Sequence, residues 1–104
     1  MTKWYDRGAQ LEISPTSNGW RLSGELDAHT APSLASAMAV LPAVRIIVDL
    51  ANVTFVDSSG LRVLLDATNR ARAAGGDMTL SGPQQSIRRL IEISGIRDHI
   101  HVQG

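Results

Sequence analysis

An apolar run, Arg45-Ile46-Ile47-Val48-Asp49-Leu50, leads into Val53-Thr54-Phe55-Val56-Asp57-Ser58-Ser59-Gly60-Leu61, and a helical pattern follows to Ala74. Neither an all-helical nor an all-strand fold accommodates this order. The run reads as a buried strand, and its Ile-Ile-Val centre predicts burial on both faces. Behind it, Leu61, Leu64, Leu65, Thr68 and Ala71 fall on one helical stripe, with Arg62, Asp66, Asn69 and Arg70 outside. Strand, polar turn and amphipathic helix together form half of a crossover, and crossovers favour parallel pairing with a right-handed connection. The acid, two hydroxyls and glycine between them therefore sit at a helix N-terminus. Unpaired N–H groups point outward there and negative charge is favoured.

The other segments fit around this unit. Residues 1–10 are polar and without period, and read as an N-terminal arm whose Trp4 or Tyr5 is available for packing. Leu11 and Ile13 alternate with Glu12 and Ser14 in a strand expected to end at Pro15. Asn18-Gly19 offers the positive φ angles of a tight hairpin, and Trp20, Leu22 and Leu26 then alternate with polar residues. Gly24 falls on the apolar side of that alternation, which marks a bulge or a close backbone approach. Thr30 is positioned to cap a helix with Pro32 in its first turn; Leu34, Ala37, Met38 and Leu41 follow, and Pro42 is the expected stop. Gly75-Gly76 supply a left-handed end to the helix after the central turn. Asp77 to Leu80 is a further strand, Pro83 opens a helix with Ile87, Leu90, Ile91 and Ser94 inward, Gly95 closes it, and Ile100 to Val102 is a last strand. The expected class is α/β, in the order β-β-α-β-α-β-α-β. An N-terminal antiparallel hairpin joins parallel strands in one small mixed sheet with three packed helices, all within residues 11–104.

Composition excludes several functions. Ten basic and ten acidic residues balance among 104. No basic field therefore favours nucleic acid or an anionic membrane surface. Trp4, Tyr5, Trp20 and Phe55 are too few for a base-stacking platform. Without cysteine there are no disulfides, thiolate zinc sites or cysteine nucleophiles. No apolar run approaches the roughly 20 residues needed to span a bilayer, and the N-terminus lacks the apolar core of a signal peptide. The expectation is a cytoplasmic domain without membrane insertion or direct nucleic-acid contact.

Two clusters carry candidate chemistry. Asp57-Ser58-Ser59-Gly60 suits a helix cap, and it equally suits a phosphorylation switch at Ser58; the two roles are compatible. Gly24-Glu25-Leu26-Asp27 ends a strand and leads to Thr30. It gains a functional reading if it lies beside the Asp57–Gly60 turn, because loops at the carboxyl ends of neighbouring strands meet in open sheets. Enzyme chemistry is not expected. Ser58 lacks the Gly-x-Ser-x-Gly elbow and an evident general base, whether from His29, His99 or His101. His99 and His101 would share one face of a strand, with no third ligand for a metal. Gly75-Gly76 precedes a strand instead of opening a helix, so it is not a phosphate loop, and Arg88 and Arg89 read as a solvated helix face. No cofactor is expected.

Taken in order, Gly24-Glu25-Leu26-Asp27-x-x-Thr30-Ala31, Val48-Asp49-Leu50 and Val53-x-Phe55-x-Asp57-Ser58-Ser59-Gly60-Leu61 resemble the STAS domain of bacterial anti-sigma factor antagonists. Gly75-Gly76 before a strand and the helix from Pro83 to Gly95, closed by Ile96, extend the likeness over roughly residues 10–103. Family members often continue into a C-terminal helix, whereas this chain stops at Gly104. The resemblance implies a STAS fold, no catalytic activity, and phosphorylation of Ser58 by a cognate anti-sigma factor serine kinase. The unphosphorylated form would bind that anti-sigma factor and release the sigma factor, phosphorylation would switch binding off, and a PP2C-type phosphatase would reset it. Gly24, Glu25, Leu26, Asp27 and Thr30 would share the partner surface with Asp57, Ser58, Ser59, Gly60, Leu61 and Arg62. The same resemblance also admits an accessory subunit of a lipid-transport ABC complex or a stress-sensing assembly.

Overall fold

The computed structural model describes residues 11–104; the expectations for residues 1–10 lie outside the described residues. Five strands, β1 (Leu11–Thr16), β2 (Gly19–Leu26), β3 (Arg45–Val56), β4 (Asp77–Ser81) and β5 (His101–Gln103), form one sheet in sequence order. β1 and β2 are antiparallel, and every later pair is parallel. The connecting helices are α1 (Ala31–Ala37), α2 (Ser58–Ala73) and α3 (Gln85–Ser94), with a 3₁₀ turn at Ile96–Asp98. The mixed sheet and the element order agree with the expectation.

Strand alternation builds the core on one face only. Ile46, Val48 and Leu50 of β3 are buried while Ile47 and Asp49 are half-buried, and Met78 and Leu80 of β4 repeat the pattern. Leu34, Leu64, Ala67, Ile87 and Ile91 of the helices join the same cluster. The expected two-sided burial of the Ile-Ile-Val segment is thus corrected to one covered face. β3 also runs on to Val56, where a turn was expected from Val53. Pairing slips between Arg21 and Ser23 of β2 and again between Gly24 and Glu25, each slip giving β3 an extra residue. Its buried positions consequently change from every second residue to Val53 and Val56. Gly24, with φ at +117°, sits at the second slip, as its place in the sequence suggested.

Several boundaries move for physical reasons. Pro15 lies inside β1 opposite Trp20, which an edge strand allows because a missing N–H on the outer side costs nothing. The Ser17–Asn18 turn needs no positive φ. Gly19 instead meets a tight approach: a Cβ there would stand 1.9 Å from the Ile47 carbonyl oxygen. α1 ends before Met38, and Leu41 lies beyond it, so Pro42 is not what stops the helix. Arg70 of α2, expected outside, donates to the Met38 carbonyl at 2.9 Å and helps close the end of α1. Pro83 precedes α3, whose N-cap is Gln84, and Ser94 is exposed. Of the expected left-handed pair only Gly75 has a positive φ; Gly76 instead lies close against the Val44 backbone. Gly95, the expected end of α3, is left-handed. His99 and His101 do not share a strand face, because His99 lies before β5 and His101 within it.

Candidate functional site

β2 and β3 are neighbouring parallel strands, and Leu26 pairs with Val56 at their carboxyl ends. The loops that follow therefore leave the sheet side by side. The Asp57 N–H donates to the Leu26 carbonyl at 3.0 Å, which carries the ladder one step into the turn. Asp57 then uses both carboxylate oxygens. One accepts from the Gly60 N–H at 3.1 Å and caps α2; the other accepts from the Ala28 N–H at 3.2 Å in the adjoining loop. A single side chain thereby caps a helix and fastens two loops together.

Gly60 makes the approach possible. A Cβ at this position would stand 2.4 Å from Leu26 Cγ and 2.7 Å from the Leu26 carbonyl oxygen, so the first turn of α2 rests directly on the end of β2. The glycine serves close packing, where the sequence suggested only a tight entry into a helix.

The loop after β2 is closed by its own polar groups. Asp27 Oδ1 accepts from the N–H groups of His29 and Thr30 at 2.9 and 3.0 Å. Thr30 is buried; its hydroxyl donates to the Glu25 carbonyl at 2.9 Å and accepts from the Asp27 N–H at 3.0 Å. Thr30 occupies the N-cap position of α1 without a side-chain cap bond, so its expected capping role is replaced by one inside the loop. The Gly24 carbonyl accepts from the Thr54 hydroxyl, a second tie between β2 and β3.

These contacts divide the eleven sequence-selected positions. Leu26, Thr30, Gly60 and Leu61 are buried, and the first three hold the loops in place. Gly24, Glu25, Asp27, Asp57 and Ser59 are half-buried, while Ser58 and Arg62 are exposed. The hydroxyl of Ser58, the first residue of α2, has no hydrogen-bond partner among the described residues. Beside it a groove of about 520 Å³ separates α2 from the end of α3. Ser58, Ser59, Arg62 and Leu65 line one wall, and Ile96 and His99 line the other. Sequence reasoning did not bring this second wall to Ser58. No local signal connects segments so far apart, and His99 had been placed on a strand.

The family model for the STAS domain matches residues 11–104. The chain belongs to the STAS-domain family. Among its relatives is the anti-sigma-B factor antagonist of Listeria monocytogenes, 35% identical over 85 residues that cover 79% of this STAS chain and 75% of the relative. The anti-sigma F factor antagonist of Paenibacillus polymyxa is 35% identical over 80 residues, covering 73% and 68% of the two chains. The unphosphorylated form of the anti-sigma factor antagonist SpoIIAA shares the fold, with a TM-score of 0.63 at 20% identity over 90% of this chain and 87% of that one. In this STAS domain no helix among the described residues is long and apolar enough to cross a membrane.

Proposed function

We propose that this STAS domain is an anti-sigma factor antagonist, a binding protein without catalysis, whose switch is the Ser58 hydroxyl. The observation that carries the reading is the division of labour at the start of α2. Asp57 supplies the cap and the link between loops, which leaves the neighbouring hydroxyl exposed and free of structural duty. Relatives named as anti-sigma factor antagonists at 35% identity support the same reading.

The unphosphorylated chain binds an anti-sigma factor that is also a serine kinase, and the sigma factor is released. Glu25, Asp27, Ser58, Ser59 and Arg62 present the polar part of the contact surface. Phosphorylation adds about −1.5 to −2 charges at Ser58. Negative charge near a helix N-terminus is favoured by roughly 0.3–1 kcal/mol, so the modification leaves α2 folded and acts on the partner. A PP2C-type phosphatase in the same compartment, the cytoplasm, restores the binding form. Titration of Ser58→Ala and Ser58→Glu against the cognate kinase is the test. The alanine variant keeps wild-type affinity, and the glutamate variant binds about tenfold or more weakly. Equal binding by the two variants would refute the switch.

A further inference from the structure

The groove beside Ser58 has an uneven lining. Leu61, Leu65 and Ile96 make it apolar, and the ionisable groups that line it are Arg62 and His99. Both side chains can carry positive charge, and no carboxylate among the described residues lines the groove. Arg62 stands four residues beyond Ser58 on α2, the spacing that brings two helical side chains onto one face.

Several other arginines already have partners. Arg72 meets Asp77, Arg97 meets Glu92, and Arg70 meets the end of α1. The Arg62 and His99 side chains have no hydrogen-bond or ion-pair partner among the described residues. The adjacent acid, Asp57, makes no ion pair with Arg62 among the described residues; its two oxygens accept from Gly60 and Ala28.

We propose that this groove receives the chain's own phosphate: phosphoserine at position 58 turns into it and is held between the Arg62 guanidinium and the His99 imidazole. The proposal rests on Ser58 being the phosphorylated residue and adds where the phosphate goes. The modification forms an Oγ–P bond on Ser58 and breaks the terminal phosphoanhydride of a nucleoside triphosphate bound by the kinase. The diphosphate leaves, and the hydroxyl proton passes to a base of the kinase. A guanidinium presents paired donors to phosphate oxygens, and a charge-assisted bond of this kind is roughly twice as strong as a neutral one. The switch then acts partly by filling the groove from within, in addition to placing charge at its rim.

The test needs no kinase. Phosphoserine is incorporated at position 58 by genetic encoding, and the phosphate is titrated by phosphorus NMR. The second ionisation of a phosphoserine ordinarily lies near pH 6; flanking cations lower it. The expected result is a phosphate that binds its last proton roughly three- to tenfold more weakly in the wild type than in Arg62→Ala. His99→Ala gives a smaller change, Arg62→Lys an intermediate one, and Arg89→Ala none. Amide spectra of the phosphorylated and unphosphorylated chains should also differ at Gly95, Ile96 and His99. Identical titration in the wild type, Arg62→Ala and His99→Ala would overturn the proposal. So would amide changes confined to residues 57–62. Arg62 and His99 are exposed, and circular dichroism checks that each variant is folded. No partner takes part in these measurements. A switch that fails in the kinase titration is therefore distinguished from a phosphate that does not enter the groove.

Discussion

Asp27 and Asp57 occupy corresponding places, each just beyond the carboxyl end of one of two adjacent parallel strands, yet they hold different things together. Asp27 takes its N–H partners from His29 and Thr30, within its own loop. Asp57 takes one partner from its own helix and the other, Ala28, from across the chain. The first aspartate shapes a turn. The second turns two loops into one surface, and that surface carries Ser58. Residue type alone does not distinguish these roles; the difference comes from which N–H groups the neighbouring strand brings within reach.

The most disruptive way to break this arrangement is Gly60→Ala. Its Cβ collides with Leu26, including a backbone atom that cannot rotate away, so α2 must lift from β2. The expected cost is about 3 kcal/mol, at the upper end for an overpacked site, measured by urea unfolding. A loss below about 0.5 kcal/mol would mean that the loops separate without strain.

Substitution of the two aspartates compares them directly. Asp57→Ala should lose about 2 kcal/mol, because a cap and a cross-loop bond go together. Asp27→Ala should lose about 1 kcal/mol, with the effect confined to one loop. Amide exchange near Ala28 should accelerate in the Asp57 variant, and equal unfolding midpoints for the two would erase the distinction.

The smallest effect lies away from this pair of loops, at Asp77. Burial raises its pKa, but the Met78 N–H, the hydrogen bond and charge of Arg72, and the charge of His101 together outweigh that and hold the carboxyl below its ordinary value. The native state therefore binds fewer protons at this group than the unfolded chain does. Its contribution is complete above the ordinary carboxylate range and is lost as pH falls through the lowered folded pKa. Asp77 is partly exposed and its ion pairs are screened, so the change is modest. Asp77→Asn should flatten the acid limb of a stability-against-pH curve. An unchanged acid limb would remove Asp77 from the account.

Local features were legible where a few neighbouring residues decide them. The left-handed glycines Gly75 and Gly95 end their helices, and the Gly24 irregularity showed as a break in alternation. The end of β3 was not legible. Its extra residues relative to β2 shift the apolar positions to Val53 and Val56, so a period-two reading stops at Leu50. Thr30 was misread for a similar reason: hydroxyls favour N-caps, but here the Glu25 carbonyl competes and wins the hydrogen bond. The groove was divided in the same way. Arg62 could be placed near Ser58 from helical spacing, whereas Ile96 and His99 reach it only through folding.

By itself the sequence determined the order of strands and helices, and it put two hydroxyls, Ser58 and Ser59, at the start of α2. Hydrophobic period, turn chemistry and helix ends depend on residues a few positions apart, so they survive without knowledge of the fold. Only the tertiary structure decided that Asp57 would bind Ala28, 29 residues earlier, that Gly60 would rest on Leu26, and that His99 would face the groove of Ser58. Those choices follow from the parallel pairing of β2 with β3 and from the return of the chain after α3. Hydrogen bonds and van der Waals contacts act over a few ångströms, and the sheet brings distant residues within that range.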